Sequence, residues 1–279
     1  MIDLHLHTTA SDGAFSPSEL VRRARAAHLS IIAITDHDTT AGSCAARDGA
    51  REAGLELIPA IEISSVDEGR DIHMLGYFID AESADLAGFL DAQRVERVRR
   101  ITAMGDRLSS LGCPVDVSPI LDTVRCGRSV GRPQIADALV RGGFAASRDE
   151  AFTKYLEFGA PAFVPRSGAS PADVIRVVHD AGGIVSMAHP GLTRRDDLIP
   201  ALAAVGLDAL EVRHSEHDEA TEARYRALAS SLGLAVTAGS DYHGDTGRRA
   251  SALGNVVMPS ADFEAFWYAA ERRRAGRSA

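Results

Sequence analysis

The 279-residue chain has only three cysteines, Cys44, Cys113 and Cys126, far apart and with no CxxC pair among them. That argues against a disulfide framework or a cysteine-ligated zinc site and fits a reducing compartment. No apolar run approaches the roughly 20 residues that span a bilayer. The opening Met1-Ile2-Asp3-Leu4-His5-Leu6-His7 lacks the basic and apolar stretches of a signal peptide. A cytoplasmic location without membrane contact is expected. Positive charge is in deficit, with a formal net charge of −9. An acidic surface repels polyphosphate backbones, so no stable complex with long nucleic acid is expected. A small phosphorylated ligand stays compatible, because a few arginines and bound cations make one cleft locally positive. Aromatics amount to 5%, and they, Trp267 included, read as core or terminal packing. The length suits one large domain or one domain carrying an insertion.

Several apolar, β-branched segments read as buried strands: residues 2–6, 31–35, 56–63, 72–78, 184–188, 209–212 and 235–239. Helical patterns separate many of them. Ser16-Pro17-Ser18-Glu19 and Ser170-Pro171-Ala172-Asp173 each open a helix with a cap and a proline at the first position. Strand and helix in alternation imply parallel pairing with right-handed crossovers. About seven such units predict an α/β barrel. The alternation breaks between about 85 and 165, where three helices are expected. One is a long amphipathic helix through Leu86, Phe89, Leu90, Gln93, Val98, Ile101, Met104 and Leu108; the others cover 131–139 and 147–156. The reading is a barrel of residues 1–84 and 166–270, a helical insertion of 85–165 covering the active site, and a flexible tail of 271–279.

Ten histidines stand out for this length. In barrels of parallel strands, active sites gather at the carboxyl ends of the strands. Metal-ligand residue types fall there repeatedly: His5 and His7, Asp12, His37, Glu62, His73, His189, and Asp241 with His243. Imidazole and carboxylate are ordinary ligands for Zn, Mn and Fe. One His-x-His alone says little. Five strand ends so furnished do not arise by chance placement. Nine ligands exceed the needs of one ion, so two or three divalent cations are implied. Glu62, the only glutamate of the set, is long enough to bridge two. Water between close cations loses a proton near neutral pH and becomes a nucleophile, held here by Glu62 and Asp241.

These motifs resemble the polymerase and histidinol phosphatase (PHP) family. They are Asp3-Leu4-His5-Leu6-His7 with Ser11-Asp12-Gly13, Ile34-Thr35-Asp36-His37-Asp38, Glu62, His73, Ala188-His189-Pro190 and Gly239-Ser240-Asp241-Tyr242-His243. The resemblance implies a distorted seven-stranded α/β barrel with a trinuclear Mn, Fe or Zn site. It places one ion on His5, His7, Glu62 and Asp241, a second on Glu62, His73 and His189, and a third on Asp12, His37 and His243. The insertion, through 131–136, Lys154-Tyr155-Leu156 and 161–166, resembles the nucleotide-directed branch. That branch includes 3′,5′-nucleoside bisphosphate phosphatases and a 5′-to-3′ exoribonuclease. Related proteins usually carry histidine where Gln134 stands.

Arg132 is the expected phosphate clamp, since guanidinium pairs bidentately with phosphate. Gln134, Lys154 and Arg166 are further candidate contacts. His214 and His217, past the strand at 209–212, are candidates for substrate contact, and His217 for proton donation. His28 and His179 read as helix-end cations. Asp36 and Asp38 are expected to orient His37. The expected activity is metal-dependent hydrolysis of a small nucleotide's phosphate ester or of a short RNA end. Rivals are a histidinol-phosphate phosphatase, an amidohydrolase, and a non-catalytic, metal-stabilised accessory module. The nucleotide-like insertion, the terminal Ser-Asp-x-His and the full ligand set weigh against them in turn.

Overall fold

The computed structural model describes residues 1–246 and 249–277. Eight strands form two sheets. Strands β1 (Ile2–Leu6), β2 (Ile31–Ile34) and β3 (Glu56–Ile58) make a parallel sheet in that order. Strands β4 (Ala60–Asp67), β5 (Arg70–Tyr77), β6 (Ile184–Met187), β7 (Ala209–His214) and β8 (Ala235–Gly239) make the second. Two single bridges join the sheets, His37 with Glu62 and Leu6 with Tyr242. The amide of His7 donates to the Tyr242 carbonyl at 3.1 Å.

The expected strand at 56–63 is therefore two. Pro59, which has no N–H to give a ladder, separates β3 from β4. Counted as one bent stave, β3 and β4 leave seven positions around the barrel.

Parallel pairing throughout is also corrected. β5 runs antiparallel to both β4 and β6, while β6, β7 and β8 are parallel. The cause is local. Only Glu68 and Gly69 lie between Asp67 and Arg70, which pair with each other, and both adopt positive φ, 47° and 76°. Two such residues make a hairpin turn of the primed kind, which returns the chain antiparallel. A parallel return needs a crossover of a dozen or more residues.

The helix Pro171–Asp180 packs Val174, Ile175, Val177 and Val178 against Ile61, Met74, Val185 and Met187. Between β5 and this helix lie the long helix Ala84–Ser110, a helix at Arg132–Arg141 and a short one at Arg148–Ala151. The last widens into one π turn, Phe152–Leu156, rather than continuing as a single α-helix. These elements share an apolar cluster of their own, including Ile101, Met104, Leu108, Ile135, Leu139 and Leu156. The C-terminal helix Ser260–Arg277 runs through most of the segment expected to be a flexible tail. Arg273 pairs with Asp208 at 2.9 Å, and Arg274 donates to the Phe78 carbonyl at 3.2 Å. Ser278 and Ala279 lie outside the described residues. No helix is long and apolar enough to cross a membrane, among the described residues.

The β1–β8 contact leaves no room at Gly239, where a Cβ would lie 2.3 Å from the His5 Cβ. Gly239→Ala should destabilise by about 1–3 kcal/mol, the usual range for overpacking. Thermal unfolding checks this; an unchanged Tm would mean that β8 does not press on β1.

Candidate metal centre

Strand ends bring the ligand-type side chains together. His5 and His7 stand two apart on β1 and its extension, so both project the same way. His37 follows β2, Glu62 lies in β4, His73 in β5, His189 after β6, and Asp241 and His243 after β8. All nine residues expected as ligands converge, and Glu62 is at their centre. Its Oε2 lies 3.3 Å from His5 Nε2, 3.2 Å from His7 Nε2 and 3.0 Å from His37 Nδ1. Its Oε1 lies 2.9 Å from His73 Nδ1 and 3.1 Å from His189 Nε2. Asp241 Oδ1 lies 3.1 Å from His7 Nε2 and 3.4 Å from both His5 and His243. Asp12 faces His243 at 3.3 Å and both His7 and His37 at 3.6 Å.

Three of these nitrogens carry the test of whether cations fit. His7 Nε2, His37 Nδ1 and His73 Nδ1 are buried and lack a hydrogen-bond partner. Yet each sits 2.9–3.2 Å from a Glu62 oxygen. Donor atoms crowded together without hydrogen-bond geometry are what ligands of a common ion look like. The ligand atoms form four groups within 4.8 Å: His7, Asp12, His37 and His243; His5, His7 and Asp241; His5, Glu62 and His189; His37, Glu62 and His73. The grouping differs from the expected one in drawing His7 towards Asp12 and His37 towards Glu62.

Charge follows the same geometry. Burial opposes ionisation of Glu62, but His37, His73 and His5 hold its carboxyl well below the usual range. Burial likewise opposes Asp241, and Arg249 and His5 prevail over it. For His7, burial is outweighed by the Asp241, Glu62 and Asp12 carboxylates that crowd it, and its pKa rises to about 10. Burial wins at His37, which falls to about 3. Cations bind neutral imidazole, so loading such a site releases protons.

A second ring of groups fixes the first. Glu211, completely buried on β7, accepts from His5 Nδ1 at 2.9 Å and from the His189 amide at 2.7 Å. That leaves His5 Nε2 turned to Glu62. Asp3 accepts from the His5 and Ser240 amides, at 3.2 and 2.9 Å. Asp36 accepts from the Thr8 amide and the Thr8 and Ser11 hydroxyls, and so shapes the loop carrying Asp12. Asp38 accepts from the Ser64 amide and from Arg97. No hydrogen bond joins Asp36 or Asp38 to His37, so their expected role in orienting it is replaced by these. His189, Asp241 and Asp38 all have positive φ, 28°, 51° and 51°. Such backbone strain concentrates at functional sites.

Other candidates are placed differently from expectation. His214 donates through Nε2 to Asp241 Oδ2 at 3.2 Å and accepts from the Glu216 amide. It holds the Asp241 carboxylate in place. Arg249 reaches the same Asp241 oxygen at 2.5 Å and also pairs with Glu216. His217 donates from Nδ1 to the Val212 carbonyl at 2.8 Å and accepts at Nε2 from the Gly191 amide at 3.2 Å. With both nitrogens engaged by backbone, it anchors the loop after His189. His28 is exposed just beyond its helix, and His179 pairs with Asp208 at 2.8 Å.

A cleft opens beside Asp12, His37 and His73. Its other wall is the helical segment, through Arg97, Arg100, Ser129, Arg132 and Phe152, together with Arg166 just beyond it. Asp71, two residues before His73 on β5, gathers Arg132 at 3.0 Å, Arg166 at 3.2 Å and Arg100 at 3.4 Å. Burial opposes its charge, but these guanidiniums hold its carboxyl below the usual range. Arg132 and Arg166 thus line the cleft. Gln134 lines it too, but accepts from the Gly131 amide and donates to the Ser11 carbonyl, both at 2.8 Å. It staples the insertion to the Asp12 loop. Lys154 is exposed, 5.1 Å from the Tyr155 ring and outside the cleft lining. Residues the sequence reading missed are Glu211, Asp71, Arg97, Arg100 and Arg249. A lone carboxylate in the apolar run 209–212 was the available signal for Glu211.

The PHP domain model matches residues 3–113. The chain is 36% identical over 248 residues to a 5′-3′ exoribonuclease of Haemophilus influenzae, spanning 86% of this chain and 89% of that protein. The chain belongs to the PHP family. It is also 32% identical over 255 residues to a 3′,5′-nucleoside bisphosphate phosphatase of Chromobacterium violaceum, covering 88% and 89% of the two. A solved structure from Bifidobacterium adolescentis, assigned as a metal-dependent phosphoesterase, matches with a TM-score of 0.86. It is 35% identical, with 96% of both chains covered. This PHP chain is accordingly a phosphoesterase of the metal-dependent kind, and its fold is the PHP barrel.

The buried carboxylate behind His5 gives a test. Glu211→Gln should weaken divalent-cation binding about 10–100-fold, the usual cost of losing a group that orients a metal-ligating histidine. Calorimetric titration of the chelator-stripped protein with Mn measures it; unchanged affinity would remove Glu211 from the metal centre.

Proposed function

We propose that this chain hydrolyses the phosphate ester of a small nucleotide, a nucleoside 3′,5′-bisphosphate, or the end of a short RNA. One observation carries the reading. Eight imidazole and carboxylate groups meet around a ninth, Glu62, and open onto a cleft whose facing wall is arginine. The Haemophilus influenzae and Chromobacterium violaceum relatives, by their names, act on RNA and on nucleoside bisphosphates, which supports this substrate class. The four ligand groups share His5, His7, His37 and Glu62, and so fit two or three ions better than four. Mn, Fe and Zn all suit such donors.

When bound, such cations supply Lewis acidity, making water a nucleophile near neutral pH and neutralising phosphoryl oxygens. The chain's own groups do the rest. Glu62 addresses His5, His7 and His37 with one oxygen and His73 and His189 with the other. Asp241 turns Oδ1 to the histidines, while Arg249 and His214 hold Oδ2. Across the cleft, Arg132 and Arg166 hold the anionic substrate. The helical segment 85–165 covers the mouth and limits entry to small or short ligands.

A phosphate-release screen of the Mn-loaded protein tests this. It compares adenosine 3′,5′-bisphosphate, AMP, a short 5′-phosphorylated RNA and histidinol phosphate. Turnover of the bisphosphate or the RNA is expected, and activity on histidinol phosphate alone would overturn the substrate class. Asp241→Ala should abolish turnover with the circular dichroism spectrum intact. Arg132→Ala should mainly raise KM, and unchanged kinetics would take Arg132 out of the site.

A further inference from the structure

Of the nine ligand-type residues, Asp12 is the one the barrel anchors least. It lies six residues past the end of β1 at Leu6, further from a strand than any of the others. Its group, His7, Asp12, His37 and His243, is also the least buried of the four, with three partly exposed members. Asp12 and His37 line the cleft. A ligand on a loop is held only as firmly as the loop itself. From the barrel side, Asp36 accepts from the Ser11 hydroxyl at 2.7 Å. The Ser11 and Gly13 amides donate to the Thr8 carbonyl at 3.1 and 2.9 Å.

The outer side of this loop is held by the helical segment instead. Gln134 donates from Nε2 to the Ser11 carbonyl, and the Ser129 amide donates to the Ala10 carbonyl, both at 2.8 Å. The two bonds land on the two residues before Asp12. The same stretch grips the loop of His37. Thr39 donates its hydroxyl to the Gly127 carbonyl at 2.9 Å, and Arg97 spans from the Val130 carbonyl at 2.8 Å to Asp38 at 2.6 Å. Gln134 is not free to turn away. Its Oε1 accepts from the Gly131 amide at 2.8 Å and so caps the helix Arg132–Arg141. The two ends of a primary amide share one plane, so the end used as a cap orients the end that donates. Residues 127–134 thus strap across the two loops that carry Asp12 and His37. Among the described residues, no hydrogen bond runs from this strap to the strands or turns that carry Glu62, His189 and Asp241.

We propose that the strap positions one cation and leaves the others to the barrel. Gln134, seconded by the Ser129 amide, sets the Asp12 carboxylate and so governs how tightly the group of His7, Asp12, His37 and His243 holds its ion. Gln134 is a positioning residue: it acts through the Ser11 carbonyl and touches no reacting atom. The coupling runs both ways. An ion bound more tightly with the strap in place tightens the strap by the same factor. Occupancy of this least buried group therefore steadies the wall that carries Arg132. The inference rests on cations binding where the ligand atoms gather, and not on which phosphate ester is the substrate.

Calorimetric titration of the chelator-stripped protein with Mn resolves the binding steps for the wild type, Gln134→Glu and Gln134→Met. Glutamate keeps the acceptor that caps the helix and loses the donor to Ser11. Methionine loses both and adds no charge. In both variants one step should weaken about tenfold, the lower end of what a group supporting a metal ligand contributes, while the remaining steps keep their affinity. A general loosening of the fold would move every step. The wild type gives a second reading that needs no variant. Hydrogen exchange of the amides in 127–134 should slow on saturation with Mn, and slow less in Gln134→Glu. Equal weakening of all steps, weakening in Gln134→Met alone, or exchange in 127–134 that Mn does not slow overturns the proposal. Binding identical to wild type in both variants overturns it as well, with the metal centre untouched. A wild type that takes up no Mn removes the metal centre and the strap's role together. None of these readings depends on turnover, so failure of the phosphoesterase reading stays separate from failure of this one.

Discussion

A buried carboxylate is one of the most expensive groups a protein can hold, and Glu62 has no exposed surface at all. It is tolerable because five imidazoles, from His5, His7, His37, His73 and His189, stand within 3.3 Å of its two oxygens. Those histidines come from four different strands or strand ends. The barrel is what brings them together, so fold and site are not separable here. One of the two bridges that join the sheets, His37 with Glu62, is made by two of the site residues themselves. Weakening the closure would loosen the ligands, and misplacing the ligands would leave charge stranded in the interior.

Around that centre the chain arranges its acids by what they bind. Those that face the histidines directly are Glu62, Asp12 and Asp241. Those that hold the backbone or the far nitrogens are Asp3, Asp36 and Glu211. The difference is orientation rather than residue type. Glu211 lies one strand away from the cluster, yet it fixes the His5 ring by Nδ1 and the start of the His189 turn by the amide. Asp241 does both jobs, one oxygen for each. The positive φ at His189 and Asp241 places side chains where regular strand geometry would not, and these hydrogen bonds sustain the strain.

Much of this could be read from the residues. Nine candidate ligand positions stood in or after apolar runs, and each of those runs does form strand in the barrel, with 56–63 divided between β3 and β4. The failures have identifiable physical causes. Direction was misjudged at β5 because the turn Glu68-Gly69 was not weighed; two residues cannot make a crossover. One strand became two because Pro59 was passed over. The tail was expected to fray from its composition, but Arg273 and Arg274 find partners on the barrel. His214 and His217 follow β7 as expected from the sequence, and hydrogen bonds with Asp241, Glu216, Val212 and Gly191 occupy their ring nitrogens. Sequence position says which side of a barrel a histidine occupies, but not which of its nitrogens is already bonded.

The arginine wall was the hardest part to see, and the reason lies in helical periodicity. On the helix Ala84–Ser110 the buried positions run Leu86, Leu90, Gln93, Arg97, Arg100, Ile101, Met104 and Leu108. An apolar template follows that stripe through its leucines and then steps around the arginines, because arginine on a helix usually marks the solvated face. Here the stripe itself changes character half-way. Its apolar parts pack into the insertion and against the barrel, and its charged part turns to the cleft. An arginine at a spacing that demands burial is thus a stronger signal of ligand contact than one on an exposed face. Burial removes water as its partner, so only a carboxylate, a carbonyl or an incoming anion can replace it. Asp71 supplies part of that replacement by holding Arg100, Arg132 and Arg166 together. It does so from β5, the strand that also carries His73, so the arginine wall is aligned with the metal centre by a single piece of backbone. A ligand that touches both is measured against a distance fixed by that strand rather than by a flexible loop.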